Sequence, residues 1–294
     1  MTRPAPRRRG DRLARRPIPP LQPGWLIVDG LPVYHRVAVT AGDTAPALVH
    51  VHGFGISGTY LEPTAARLAD RFRTYVPDLP GMGRSHHPEH SLDLPALARS
   101  LVAYCDAAGV GRATFVASSL GCPILVEVAS SFPDRIERVV LVSPAGGPNN
   151  QPLPRALRQM ALDATREPIG LLPIAVRDYL RFGLVRGWAL FQAMTRYPTL
   201  ERLGALTSPT LVIAGIRDPL VRIDRAHVFR GLPHVAAVQV SGAHTLNFSR
   251  PELIAHLIAA HVDGRPPTAP PGSPHVVQPV EIGPSAPGTT VTAR

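Results

Sequence analysis

Lysine is absent from this 294-residue chain; all 31 of its basic residues are arginine. Schiff-base chemistry, which needs a lysine amine, is therefore excluded. So are phosphate-cradling loops that depend on a lysine. Cysteine is nearly absent too. Cys105 and Cys122 fall in helical stretches with no metal-ligand spacing, so a disulfide scaffold and a cysteine metal centre are excluded and two reduced core thiols are expected. No apolar run approaches the length of a membrane span. The arginines at the start have no apolar segment behind them, so they do not form a secretory signal. The expectation is a cytoplasmic protein without a membrane span, a metal or a cofactor.

Proline and charge are concentrated at the ends. Residues 1–23 hold six prolines and residues 264–294 hold eight, with no apolar period in either stretch. Both tails, 1–23 and 263–294, are expected to be disordered, which leaves 24–262 as the folded domain. The first 16 residues carry seven arginines against Asp11, most of the formal charge of +10. The body is close to neutral by comparison, and no nucleic-acid partner is expected. The basic tail reads as a solvated extension. No sequence feature bears on oligomeric state.

Along the body, short β-branched runs alternate with helical spacing. A hairpin turning at Asp29-Gly30 opens it. Strands follow at Ala47–Val51, near Thr74–Val76, at Arg112–Val116, Arg138–Ser143, Pro209–Gly215 and Ala236–Val240, with amphipathic stretches between them. Alternation of this kind predicts an α/β fold, a mostly parallel doubly wound sheet of about eight strands. Residues of about 145–205 break the pattern. They contain no strand candidate and hold Tyr179, Phe182, Trp188, Phe191 and Tyr197, so they are expected to form a helical cap inserted between two strands.

Ala117-Ser-Ser119-Leu-Gly121 sits between a strand and a helix and has the form of a nucleophile elbow, small-x-Ser-x-small. Only Ser119 can be the central residue, because centring Ser118 puts Leu120 where a small residue is required. A serine hydroxyl needs a base, and the base needs an acid to hold its tautomer and balance its charge. Asp218 follows one strand end and His244 the last, in the chain order serine, acid, histidine. An aspartate before proline is on its own only a turn residue, and a loop histidine is usually solvated. Their joint placement after successive strands, downstream of an elbow, is what singles them out. An oxyanion formed at Ser119 needs backbone donors. These are expected from Leu120, at the start of the helix, and from Phe54 in the glycine-rich stretch His52-Gly53-Phe54-Gly55. His52 and Gly53, with Gly121, are expected to support the site rather than react, His52 by bracing the loop. Asp78-Leu-Pro-Gly-Met-Gly-Arg-Ser85 reads as a turn shaping the edge of the sheet.

These stretches, with Gly215-Ile-Arg-Asp218-Pro and Gly242-Ala-His244, resemble the α/β-hydrolase superfamily over residues 24–262. The resemblance implies that Ser119, Asp218 and His244 take the nucleophile, acid and base positions. Two positions depart from the pattern: Ala117 replaces the usual glycine, and Ser118 stands where carbon–carbon bond hydrolases often carry Asn. Serine at 119 argues against epoxide hydrolase and dehalogenase chemistry, which the resemblance ties to aspartate there. The expected function is hydrolysis of a small or medium hydrophobic ester through an acyl-enzyme. The alternatives are a carbon–carbon bond hydrolase of ring-cleavage products with a ketone substrate, a cofactor-free perhydrolase, a non-catalytic small-molecule receptor, or an interaction protein acting through its tails.

Overall fold

The structure is a computed structural model that describes residues 20–90, 92–223 and 226–280. The tail expectations for residues 1–19 and 281–294 lie outside the described residues. One sheet runs through the molecule in the order β1-β2-β4-β3-β5-β6-β7-β8-β9. β1 (Gln22–Val28) and β2 (Leu31–Ala38) form the opening hairpin, and β2 lies antiparallel to β4 (Arg73–Pro77). From β4 onward β3 (Ala47–Val51), β5 (Ala113–Ser118), β6 (Ile136–Val142), β7 (Thr210–Gly215) and β8 (Val235–Val240) are parallel. Every residue of β3, β5 and β7 is buried, as expected of strands covered on both faces.

Two layers of helix provide the cover. Val49 and Val51 of β3 and Phe115 of β5 pack into a core shared with α2 (Leu94–Ala107) and α3 (Gly121–Ser131). Leu48, Val116, Val140 and Ile213 point to the opposite face, against the closing helix α8 (Pro251–Val262). The short α1 (Glu62–Ala66) and α7 (Leu246–Ser249) lie on that side too, linked by a hydrogen bond from the Thr64 hydroxyl to the Asn247 carbonyl. Three helices, α4 (Leu153–Ala164), α5 (Leu172–Phe182) and α6 (Leu184–Arg196), are inserted between β6 and β7.

The sheet differs from the expected one at both ends. It has nine strands, and β1 begins at Gln22, inside the stretch assigned to the N-terminal tail. β9 (Val277–Pro279) lies in the stretch assigned to the C-terminal tail and pairs antiparallel with β8. Val-Gln-Pro has no apolar alternation to announce a strand. It is held as an edge by its pairing with β8, by Val280 N–H to the Ala237 carbonyl at 2.9 Å and by Val276 N–H to the Ser241 side-chain hydroxyl at 3.0 Å.

Candidate active site

Ser119 lies in the tight turn between β5 and α3, with φ of 54°, the left-handed region that a non-glycine residue enters only when its surroundings hold it there. Its N–H donates to the Val142 carbonyl at 3.0 Å, which pins the turn to the neighbouring strand. Gly121 shows why the motif ends on a small residue. A Cβ there would stand 2.6 Å from the carbonyl oxygen of Val51 and 3.1 Å from that of His52. The small side chain is thus required by the backbone at the end of β3.

Two loops bring the partners in. His244, just after β8, places Nε2 at 2.9 Å from Ser119 Oγ and Nδ1 at 2.8 Å from Asp218 Oδ2. In neutral imidazole, Nδ1–H therefore donates to Asp218 and Nε2 accepts the serine hydroxyl. Asp218 is buried, and its Oδ1 accepts the N–H groups of Leu220 (2.8 Å) and Val221 (3.2 Å) in the turn that Pro219 helps form. The His244 carbonyl accepts the Ser143 hydroxyl at 2.8 Å, which fixes the histidine loop from beneath. Burial opposes charge on His244, but the carboxylates of Asp218, Asp163 and Glu167 outweigh it and raise its pKa to about 9. The arrangement can move a proton off Ser119 and balance the imidazolium that results.

The glycine-rich loop closes over Ser119 from the β3 side. A Cβ on Gly53 would stand 3.2 Å from Ser119 Cβ, so the close approach requires glycine. Gly53 N–H donates to the Tyr60 hydroxyl at 3.0 Å. Buried His52 spans the loop: Nε2 accepts Leu79 N–H at 2.8 Å, leaving Nδ1–H to donate to the Gly53 carbonyl at 2.9 Å. Burial pushes its pKa down, in keeping with a neutral ring. Among the described residues no protein acceptor takes the N–H of Phe54 or of Leu120. Asp78 lies beneath this region, buried and paired with Arg36 at 2.7 Å while accepting Gly58 N–H at 2.8 Å.

Above Ser119 is a cavity of about 410 Å³, mostly apolar, with walls from both the sheet loops and the inserted helices. Of the five aromatics in the inserted segment, only Tyr179 lines it. Phe182 and Phe191 instead hold the Phe54 ring, with centroids at 5.1 and 5.4 Å, and the Tyr197 hydroxyl donates to Glu127 at 2.6 Å. Packing of the inserted helices onto the body accounts for these three.

Several polar residues at the site carry no sequence signal. Asp163 on α4 lines the cavity, is only 8% exposed, and has one carboxylate oxygen without a hydrogen-bond partner among the described residues. Burial pushes its pKa up to about 7, with His244 opposing and Glu167 and Asp218 assisting. Glu167 accepts Thr245 N–H at 2.8 Å and also bonds the Thr245 hydroxyl. Asp178 on α5 ties the inserted helices to the glycine-rich loop at Ser57. Acids on amphipathic helices are normally surface residues, and only the tertiary fold turns these inward. Among the described residues, no group of three or more His, Cys, Asp or Glu is arranged to hold a metal ion.

Comparison with known proteins agrees with this architecture. Residues 46–189 match the family model described as the alpha/beta hydrolase fold. An uncharacterized protein of Mycobacterium tuberculosis is 33% identical over 132 residues, 45% of this chain; the match spans only 38% of that relative's length. A poly(3-hydroxyalkanoate) depolymerase of Ectopseudomonas oleovorans is 25% identical over 247 residues, covering 76% of this chain and 87% of that protein. Among solved structures, a membrane phospholipase A described as a bacterial virulence factor superposes with a TM-score of 0.72 at 24% identity, covering 83% of this chain and 86% of that one.

Proposed function

Because the chain belongs to the α/β-hydrolase superfamily, we propose that it is a serine hydrolase that cleaves carboxylic esters of small or medium hydrophobic substrates. The observation that carries the reading is the hydrogen-bonded line Ser119–His244–Asp218, with contacts of 2.9 and 2.8 Å, at the floor of an apolar cavity of about 410 Å³. Relatives named as a depolymerase and a phospholipase support hydrolysis.

In this mechanism Ser119 Oγ attacks the ester carbonyl as His244 Nε2 takes its proton, and Asp218 stabilises the imidazolium. The N–H groups of Leu120 and Phe54 receive the oxyanion, and each such donor contributes on the order of 3 kcal/mol to lowering the barrier. His244 then protonates the leaving alkoxide, giving the alcohol and an acyl-enzyme. Water, deprotonated by His244, attacks the acyl carbon and releases the acid, with the proton returned to Ser119. The inserted helices act as a cap that selects apolar substrates. No step calls for a cofactor. Two buried free cysteines suit a reducing compartment, and the proposed location is the cytoplasm.

A panel of aryl esters and vinylogous 1,5-diketones, run with the wild type and with Ser119→Ala, tests the reading. Ester turnover that depends on Ser119 supports it. Turnover of the diketones alone moves the assignment to carbon–carbon cleavage, and no turnover of either class favours a receptor.

A further inference from the structure

The outer face of the inserted helices is apolar where a water-facing helix carries polar residues. On α5 the inward side bears buried Asp178 and Phe182 together with cavity-lining Tyr179. The outward side bears Leu172, Val176 and Leu180, one helical turn apart, and all three are exposed. Ile169 extends this stripe at one end and Val185 at the other, 87% and 92% exposed. Trp188 on α6 is also exposed. Six exposed large apolar side chains within twenty residues, Ile169, Leu172, Val176, Leu180, Val185 and Trp188, mark a docking surface rather than ordinary surface scatter.

The exposed charge of the inserted segment is mostly arginine. Arg155, Arg158, Arg166, Arg181 and Arg196 are exposed on the same segment. Of its four acids, Asp163 and Asp178 are buried, Glu167 is bonded to Thr245, and Glu201 is exposed. Arg166, Arg217 and Arg250 also line a cleft of about 190 Å³ on the far side of Glu167 and Pro168 from the main cavity. Ile169 and Leu172 are exposed and at the same time line the cavity above Ser119, so the apolar stripe runs directly into the candidate active site.

We propose that the stripe from Ile169 to Val185 docks on an anionic lipid surface and passes lipophilic esters from it into the cavity above Ser119. An apolar helix face flanked by arginines is the arrangement that lies in a lipid–water interface, with side chains among the acyl chains and guanidinium groups at anionic headgroups. The same charge pattern opposes self-association, because a two-fold dimer through this stripe sets arginine against arginine. Among the described residues no helix is long and apolar enough to cross a membrane, so the contact is peripheral. The docking claim stands on the surface alone; the delivery of an ester rests on the function proposed above.

The test is cosedimentation of the full chain with phosphatidylcholine vesicles, with and without phosphatidylglycerol. The expected result is binding that requires phosphatidylglycerol and weakens with added salt. The combined variant Val176→Ser, Leu180→Ser, Val185→Ser, none of which lines the cavity, is expected to lose about tenfold or more of that binding. Its turnover of a soluble short-chain aryl ester is expected to equal that of the wild type. A variant that binds as the wild type does while deletion of residues 1–16 abolishes binding overturns the proposal, assigning attachment to the basic tail. A wild type that ignores vesicles but is a dimer that the variant makes monomeric also overturns it, assigning the stripe to self-association. Loss of soluble-ester turnover in the wild type counts against the ester reading and leaves the binding result to be judged by itself.

Discussion

Asp178 on α5 accepts both the N–H (2.8 Å) and the hydroxyl (2.5 Å) of Ser57, three residues beyond Phe54. Burial opposes its charge, but bonds from Arg177 and Ser57 prevail and lower its pKa. The inserted helices thus hold the loop proposed to receive the oxyanion. Asp178→Asn weakens the hold while keeping the shape. Because a loop donor acts mainly in the transition state, kcat is expected to fall about tenfold with KM nearly unchanged. Steady-state kinetics on a soluble aryl ester reads this directly, and equal kinetics in both proteins would reduce Asp178 to a structural tether.

Gly121→Ala places a methyl 2.6 Å from the Val51 carbonyl oxygen. Neither the elbow nor the central strand β3 can retreat without losing ladder hydrogen bonds. The expected cost is about 1–3 kcal/mol of stability, measured by chemical denaturation, together with reduced turnover as Ser119 is displaced.

The His244 pKa of about 9 sets the direction of the pH profile. Only neutral imidazole accepts the Ser119 proton, so kcat/KM is expected to rise with pH and level off above about 9. A profile already flat from pH 6 would contradict the carboxylate influence of Asp163 and Glu167 on His244.

Asp163→Asn tests that influence from two sides. Loss of a nearby negative charge lowers the His244 pKa, so the rising limb of the profile moves to lower pH. Stability changes with pH as well. The folded pKa of Asp163, about 7, is above its ordinary value of 3.8, so the carboxyl favours folding while protonated and loses that contribution as pH rises through 7. The stability of the variant relative to the wild type is therefore expected to be greater at pH 8.5 than at pH 5. The difference is on the order of 3 kcal/mol, from the two units between pH 5 and the folded pKa at about 1.4 kcal/mol each, and thermal unfolding at the two pH values measures it.

The parts of the structure legible in the sequence are those where a short stretch must meet a backbone demand. The turn at Ser119, the close approach at Gly53 and the strand ends before Asp218 and His244 each leave a local mark in residue type and spacing. The reason for Gly121 was not legible, since the clash is with β3, some 70 residues earlier in the chain. β9 was missed because backbone pairing, not apolar burial, holds it. Asp163, Glu167 and Asp178 were missed because acids on amphipathic helices carry no mark of facing inward until the inserted segment is folded over the sheet. Among the inserted aromatics, composition alone could not separate Tyr179, which faces the cavity, from Phe182 and Phe191, which clamp Phe54.

If Ser119 is the nucleophile, the covalent intermediate can be trapped on it. The protein is mixed with a p-nitrophenyl ester, quenched in acid within the first turnover, digested and mapped by mass spectrometry. The expected result is an acyl group on Ser119, with no acylated peptide and a rate lower by about 10⁴-fold or more in Ser119→Ala. Acylation at another residue, or wild-type turnover by Ser119→Ala, would contradict it.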